Sequence, residues 1–261
     1  MRSLFLTVVM LLISIDLHAT PLKTITLAYS DVESFPFQMG NGNTLASPPG
    51  LSIDVIEQAA HLLDLEIKYV RLPGKRVLSQ IKANQVDGGF IFSYSPERAK
   101  YASYPMIQRQ VDSSLRIATL DYSFYKLRDQ ALDWDGTKLN DLDGVPVGAH
   151  GGFSVTKKLK ANEIMTLEIE STDKLFEMLN KKRLAAIAIQ SNIANSYIAE
   201  HHLSNIEKVT PPISTKDYYL IFSLNFSNKN PELVQKIWKV ISEIRDDVIA
   251  KQIKEYISEE K

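Results

Sequence analysis

The chain has 261 residues, with 30 basic and 31 acidic side chains, a net charge of −1, five histidines and no cysteine. A balance so near neutral argues against nucleic acid or an anionic membrane surface as partner. The absence of thiols excludes disulfides and thiol chemistry, and the histidines show no metal-ligand spacing, so no metal or other cofactor is expected.

Residues 1–19 (MRSLFLTVVMLLISIDLHA) have the pattern of a signal peptide. Arg2 supplies the positive start, Leu4 to Ile15 the apolar run, and Ala19 the small residue before the cut. Losing Arg2 and Asp16 together leaves the net charge unchanged. No later stretch is long enough to span a bilayer, so an exported, soluble mature chain is expected.

Thr24–Tyr29 reads as a first strand, followed by a loop over Ser30–Pro49 that contains Phe35-Pro36-Phe37. Apolar residues at helical spacing give a helix over Leu51–Leu63, and Glu66–Leu72 reads as a second strand. Pro73-Gly74 turns the chain into a helix over Lys75–Ala83, and Val86–Phe92 is a short buried strand. This β-α-β-α-β order predicts a parallel sheet with right-handed crossovers. Asp112–Thr119 is a further strand, and the polar, turn-rich Asp133–Gly144 marks the passage to a second domain. The same order then returns: strand Val145–Ala149, helix Ser154–Asn162, strand Thr166–Glu170, helix Ser171–Asn180, strand Leu184–Ile189, helix Ser191–Glu200. A strand over Tyr218–Asn225 and a long helix from Asn230 to about Ala250 complete the chain.

The stretch Asn84–Met106 (NQVDGGFIFSYSPERAKYASYPM) is the centre of this organisation. Ser95-Pro96-Glu97 after the strand has the chemistry of a helix start: a capping hydroxyl, proline at the first position, an acid in the first turn. Arg98 would then stand in that first turn, just past the carboxyl end of a strand, where α/β sheets bind ligands. A guanidinium there can grip a carboxylate or phosphate through two parallel bonds. The competing reading is a surface arginine paired with Glu97 or Asp87.

The run D-G-G-(apolar)-x-S-x-S-P-E-R-A-K, with Tyr104-Pro105 beyond it, resembles the signature of the family 3 extracellular solute-binding proteins, the polar-amino-acid-type periplasmic receptors. The family's threonines correspond to Ser93 and Ser95 and its arginine to Arg98, and the resemblance runs from about Thr24 to the C-terminus. It implies an α/β, two-lobed fold, each lobe a mostly parallel sheet flanked by helices, with the ligand cleft between them. It also implies a discontinuous first lobe, residues 20–117 plus 216–261, with residues 118–215 as the second lobe and two crossings forming a hinge. A monomeric periplasmic receptor that delivers a small polar or anionic solute to an ABC permease is the function implied.

A receptor cleft needs convergent polar groups from both lobes. The first lobe offers Arg98, Ser93 and the aromatics Tyr29, Phe35 and Tyr94; Phe37 reads as ordinary packing. The second offers Gly152, Phe153 and Ser154, a turn between strand and helix where glycine allows close backbone approach and free N–H groups favour an anion. The family places a small polar residue where Phe153 stands. Gln190 closes the last strand of the second unit, where amino-acid receptors of the family usually carry an aspartate against the ligand's ammonium. Gln190 lacks that charge, and an unpaired buried ammonium is costly. The ligand is therefore expected to carry an anion and not necessarily an α-amino group. Arg76 faces either the cleft, where it would favour a dianion, or solvent. Lys75, Lys157, Lys158, the run 181–183 and His201-His202 read as solvated. Two other roles share this fold: a ligand-sensing domain acting through a separate membrane receptor, and a dehydratase-like enzyme. No acid/base or nucleophile constellation favours catalysis.

Overall fold

In the computed structural model the described residues are 23–140 and 142–258, so the signal-peptide pattern lies outside them. The first half opens with β1 (Lys23–Ser30), α1 (Leu51–Leu62), β2 (Leu65–Leu72), α2 (Gly74–Lys82) and β3 (Gly88–Ser93). Short strands β4 (Ala102–Ser103), β5 (Met106–Ile107) and β6 (Gln110–Val111) follow, then the long β7 (Ala118–Leu127). The second half is β8 (Val147–His150), α3 (Ser154–Ala161), β9 (Thr166–Ile169), α4 (Thr172–Asn180), β10 (Ala186–Gln190), α5 (Ser191–Glu200) and β11 (Ile206–Lys208). The chain ends with β12 (Ser214–Ser223), α6 (Leu224–Lys229) and α7 (Pro231–Ser258).

The principal sheet runs β2-β1-β3-β12-β7-β10-β8-β9. Each half is a parallel trio in which the first strand is central, closed by one antiparallel strand: β12 beside β3 and β7 beside β10. The halves are thus duplicates in strand order. They join where Ala118–Tyr122 of β7 pairs antiparallel with Ser214–Tyr218 of β12. The chain therefore passes between the halves within β7. The segment 133–144 lies after β7 has already paired with β10, which corrects its expected role as the passage.

Local chemistry explains the other departures. Asp112 caps a 3-10 turn over Ser113–Leu115 by accepting from the Ser114 N–H at 2.9 Å, so the strand expected from Asp112 begins only at Ala118. Ser95 Oγ accepts from the Arg98 N–H at 3.2 Å as a cap should, but the expected helix is a single 3-10 turn, Arg98–Lys100. It stops because the chain must reach β4, which pairs with β12. The last strand starts at Ser214, ahead of the expected Tyr218. It ends where Ser223 Oγ caps α6 at the Phe226 N–H, so Asn225 is helical.

The Gly88-Gly89 pair is a packing requirement. A Cβ on Gly88 would come within 2.4 Å of the Ile221 carbonyl oxygen, and one on Gly89 within 2.5 Å of that of Ala28. Helix α7 returns to the first half, where Tyr256 donates to Asp54 Oδ2 at 2.6 Å and accepts from the Gly50 N–H at 3.0 Å.

The loop between β1 and α1 is pinned by Arg71, a buried side chain in β2. Its guanidinium donates to the carbonyls of Ser30 (3.4 Å), Met39 (3.1 Å), Gly40 (2.5 Å) and Thr44 (2.9 Å) and lies over the Tyr29 ring at 5.0 Å. Arg71→Met is expected to cost about 2–4 kcal/mol, because it removes four charge-assisted hydrogen bonds to part-buried carbonyls. At this size that is a drop in Tm of roughly 5–15 °C in thermal unfolding. A Tm within 2 °C of wild type, taken as the limit for no effect, would reject the pinning role.

Candidate functional site

Arg98 is only 6% exposed, so the surface reading of this residue fails. Its Nη1 donates to the Ser93 carbonyl at 2.9 Å and to Ser93 Oγ at 3.3 Å, while Nη2 donates to the Gly152 carbonyl at 3.4 Å on the opposite half. Tyr104 donates to the same Ser93 carbonyl at 2.9 Å. Neither suggested acid takes the arginine: Glu97 pairs with Lys157, and Asp87 accepts from the Thr26 N–H at 2.8 Å. Among the described residues the guanidinium forms no ion pair, and a buried cation in that state is short of a counter-charge.

Arg98 lines a cavity between the halves, together with Ser93, Gly152, Phe153, Ser154 and Gln190, all anticipated from sequence. Space open to the centres of water-sized spheres amounts to about 30 Å³. The walls are drawn in by Phe90, Ile91, Phe92 and Phe153. Ile91 stands at φ +60°, a region costly for a β-branched residue, where β3 and β12 shift register between Tyr219 and Ile221. Strain of this kind, held by the surrounding sheet, is characteristic of ligand clamps.

Four anticipated residues lie elsewhere. Tyr29 is fully buried behind the sheet, stacked on Phe90 at 4.8 Å and edge-on to Tyr69, because strand alternation turns it inward. Tyr94, one residue past inward-facing Ser93, turns away and packs edge-on against Tyr104 at 5.3 Å. Phe35 lines a separate surface pocket with Tyr197 and Glu200, while its carbonyl accepts from Asn192 Nδ2 at 2.8 Å. Arg76 is exposed on the first turn of α2. Its neighbour Lys75, expected to be solvated, bridges to Glu168 of the other half at 2.7 Å.

Sequence reasoning did not single out Ser30, Ser34, Gln38, Tyr122 or Tyr218, which complete the polar lining. Ser34 Oγ and Gln190 Oε1 are 3.2 Å apart, and Asn192 Nδ2 donates to Ser34 Oγ at 2.9 Å, so these contacts tie the halves together. The Tyr218 hydroxyl sits among Tyr122, Gln190 and Ser154. Among the described residues these approaches do not close to a well-formed hydrogen bond for Tyr218 Oη or Ser154 Oγ, and Gln38 Nε2 is likewise buried without a partner. Burial pushes both tyrosine hydroxyls further above their ordinary range, so they stay neutral.

Gly152 also has a packing role. At φ +82° a Cβ would lie 2.9 Å from the Lys75 backbone nitrogen, so glycine lets the two halves touch. His150, just before it, is fully buried, and its Nε2 lies 3.2 Å from Thr172 Oγ1. No metal-ligating cluster of His, Cys, Asp or Glu occurs among the described residues, and no described helix is long and apolar enough to cross a membrane.

A cavity between two duplicated α/β halves, joined by a pair of crossing strands and holding a buried arginine, has the architecture of a two-lobed solute-binding protein. Residues 27–259 match the family described as bacterial extracellular solute-binding proteins, family 3, and the chain belongs to that family. Similar solved structures include the GluR0 ligand-binding core from Nostoc punctiforme in complex with L-glutamate. It is 18% identical over 87% of this chain and 98% of that one, with a TM-score of 0.66. A histidine kinase sensor domain with similarity to periplasmic binding proteins is 14% identical over 91% and 96%, with a TM-score of 0.71. An ancestral amino acid-binding protein, AncCDT-1, described as a precursor of cyclohexadienyl dehydratase, is 17% identical over 87% and 94%, with a TM-score of 0.66. At these identities the structures share the two-lobed fold. No curated relative matches the sequence.

Burial lowers the His150 pKa to about 4 from 6.5. Below pH 6.5 the unfolded chain takes a proton that the native imidazole refuses, so stability is lost as pH falls toward 4. The full effect is up to about 3 kcal/mol. Chemical denaturation at pH 7 and pH 4.5 should show His150→Asn losing less stability than wild type on acidification. Equal losses would mean that His150 titrates normally.

Proposed function

We propose that this protein is a periplasmic receptor that captures a small polar or anionic solute, amino-acid-like or carboxylate-containing, between its lobes and delivers it to an ABC-type permease. Arg98 carries the reading: it is a buried guanidinium in an interlobe cavity with no carboxylate paired to it among the described residues. An anionic ligand group supplies the missing counter-charge and bridges the lobes through the same side chain. Residues 98, 93, 152, 153, 154 and 190 form the binding set, and the lobes divide as residues 20–117 with 216–261, and 118–215.

The ladder between β7 and β12 is the hinge. Ligand need only bind the closed state better than the open one to shift the population, and a membrane partner reads that shift. The signal-peptide pattern at residues 1–19 supports export, and the receptor acts as a monomer. A sensing role through a separate membrane receptor uses the same binding step and differs only in what the closed form docks to.

The test is a thermal-shift screen against amino acids, dicarboxylates, sugar acids and small peptides, since a ligand of the folded state raises Tm by mass action. At least one carboxylate is expected to stabilise the protein. Arg98→Ala should weaken it by about 3 kcal/mol, roughly 100-fold in Kd. A folded protein that no member of the panel stabilises, or a ligand indifferent to Arg98→Ala, would overturn the reading.

A further inference from the structure

Two kinds of polar group line the cavity. One is Arg98, the only charged side chain among the described residues of the lining. The other is a neutral set: Tyr218 Oη and Ser154 Oγ, close to each other and to Tyr122 but in no well-formed hydrogen bond among the described residues, and Gln38 Nε2, buried there with no partner. Tyr218 and Gln38 are 3% and 2% exposed, and Tyr122 and Gln190 are buried in the same lining. Leaving such groups unpaired is costly, and in a cavity between the lobes a ligand can supply the partner. Of these atoms, the amide nitrogen can only donate, and the hydroxyls can donate as well. A guanidinium and neutral donors in one cavity call for a ligand with a carboxylate and a further acceptor oxygen.

The surrounding charge agrees. Among the described residues no carboxylate lines the cavity. Lys216 shares a face of the hinge ladder with Tyr218 two residues away, and the positive charges of both Arg98 and Lys158 bear on it. Lys158 donates to the Ile213 carbonyl, and Lys216 has no ion pair among the described residues. The potential in the cleft is therefore positive, and an ammonium brought into it meets repulsion with no acid to offset it.

Resting on the receptor reading above, we infer that the cleft selects a small carboxylic acid bearing a hydroxyl or carbonyl oxygen in place of an ammonium. The carboxylate takes Arg98, and the second oxygen takes the group formed by Tyr218, Ser154 and Gln38. Tyr122 and Gln190 frame that pocket, so that specificity resides in hydroxyls on the two hinge strands. The same oxygen bridges the first lobe, through Gln38, to the second, through Ser154, and thereby couples recognition to closure.

Matched acids separate this from simple anion capture: L-lactate and pyruvate against L-alanine, and 2-hydroxyglutarate and 2-oxoglutarate against L-glutamate, measured by titration calorimetry. In at least one set an oxygen-bearing acid should bind at least 10-fold tighter than its amino counterpart. Tyr218→Phe should weaken that acid about 10-fold while the Tm of the free protein stays close to wild type. Gln190→Asp should invert the preference by raising affinity for the amino acid at least 10-fold. An amino acid that binds wild type as tightly as its oxygen analogue overturns the inference and leaves the anion-receptor reading standing. So does silence from every matched set while another carboxylate of the broader panel binds. Silence from both overturns the two together.

Discussion

A guanidinium buried at the meeting of two lobes, without a carboxylate among the described residues to neutralise it, is the constraint on which this molecule turns. Its cost is reduced but not removed by the Ser93 and Gly152 carbonyls. Those contacts fix its direction: toward the cavity, from a 3-10 turn that the Ser95 hydroxyl caps and the β4–β12 pairing cuts short. The rest of the cleft is arranged round it. Gly152 brings the second lobe's backbone against Lys75, the strained Ile91 fills the wall, and paired contacts at Ser34, Gln190 and Asn192 hold the far side shut.

On the proposed reading the hinge is also part of the binding surface. In each half the parallel trio ends on an antiparallel strand, and those two strands pair with each other. Because the ladder crosses from one lobe to the other, side chains on its cavity face belong to both. Tyr122 and Tyr218 line the cavity from it, so a ligand that engages their hydroxyls would touch the proposed hinge. Recognition and closure then share atoms, which is the requirement for a population shift driven by differential affinity.

Much of the framework was legible along the chain. Helical and strand periodicities placed α1 to α5 within a residue or two, and the repeated β-α-β-α-β order anticipated the duplicated halves. The place of Arg98 in the cavity lining was legible because its chemistry is local: cap, proline, acid and arginine follow a strand directly. The aromatics misled. Tyr29 and Tyr94 lie near strand ends in sequence, but the two-residue alternation of a strand decided which rings faced the cleft, and it turned both away. Arg76 was lost in the same manner, to a helical turn that gave the cross-lobe contact to Lys75.

The sequence by itself determined the elements, the pair of duplicated units and the place of Arg98 just past a strand end, because each depends on residues within a turn or two of one another. Tertiary structure decided which other residues join it. Ser154 and Gln190 were legible at the ends of their elements, but Gln38, Tyr122 and Tyr218 come from separate stretches, and along the chain the tyrosines read as ordinary strand residues. Only the pairing of β7 with β12, and the closure of the loop held by Arg71 against α5, brings them into one cavity lining. That Tyr218 Oη, Ser154 Oγ and Gln38 Nε2 lack a well-formed hydrogen bond among the described residues is a property no local pattern encodes.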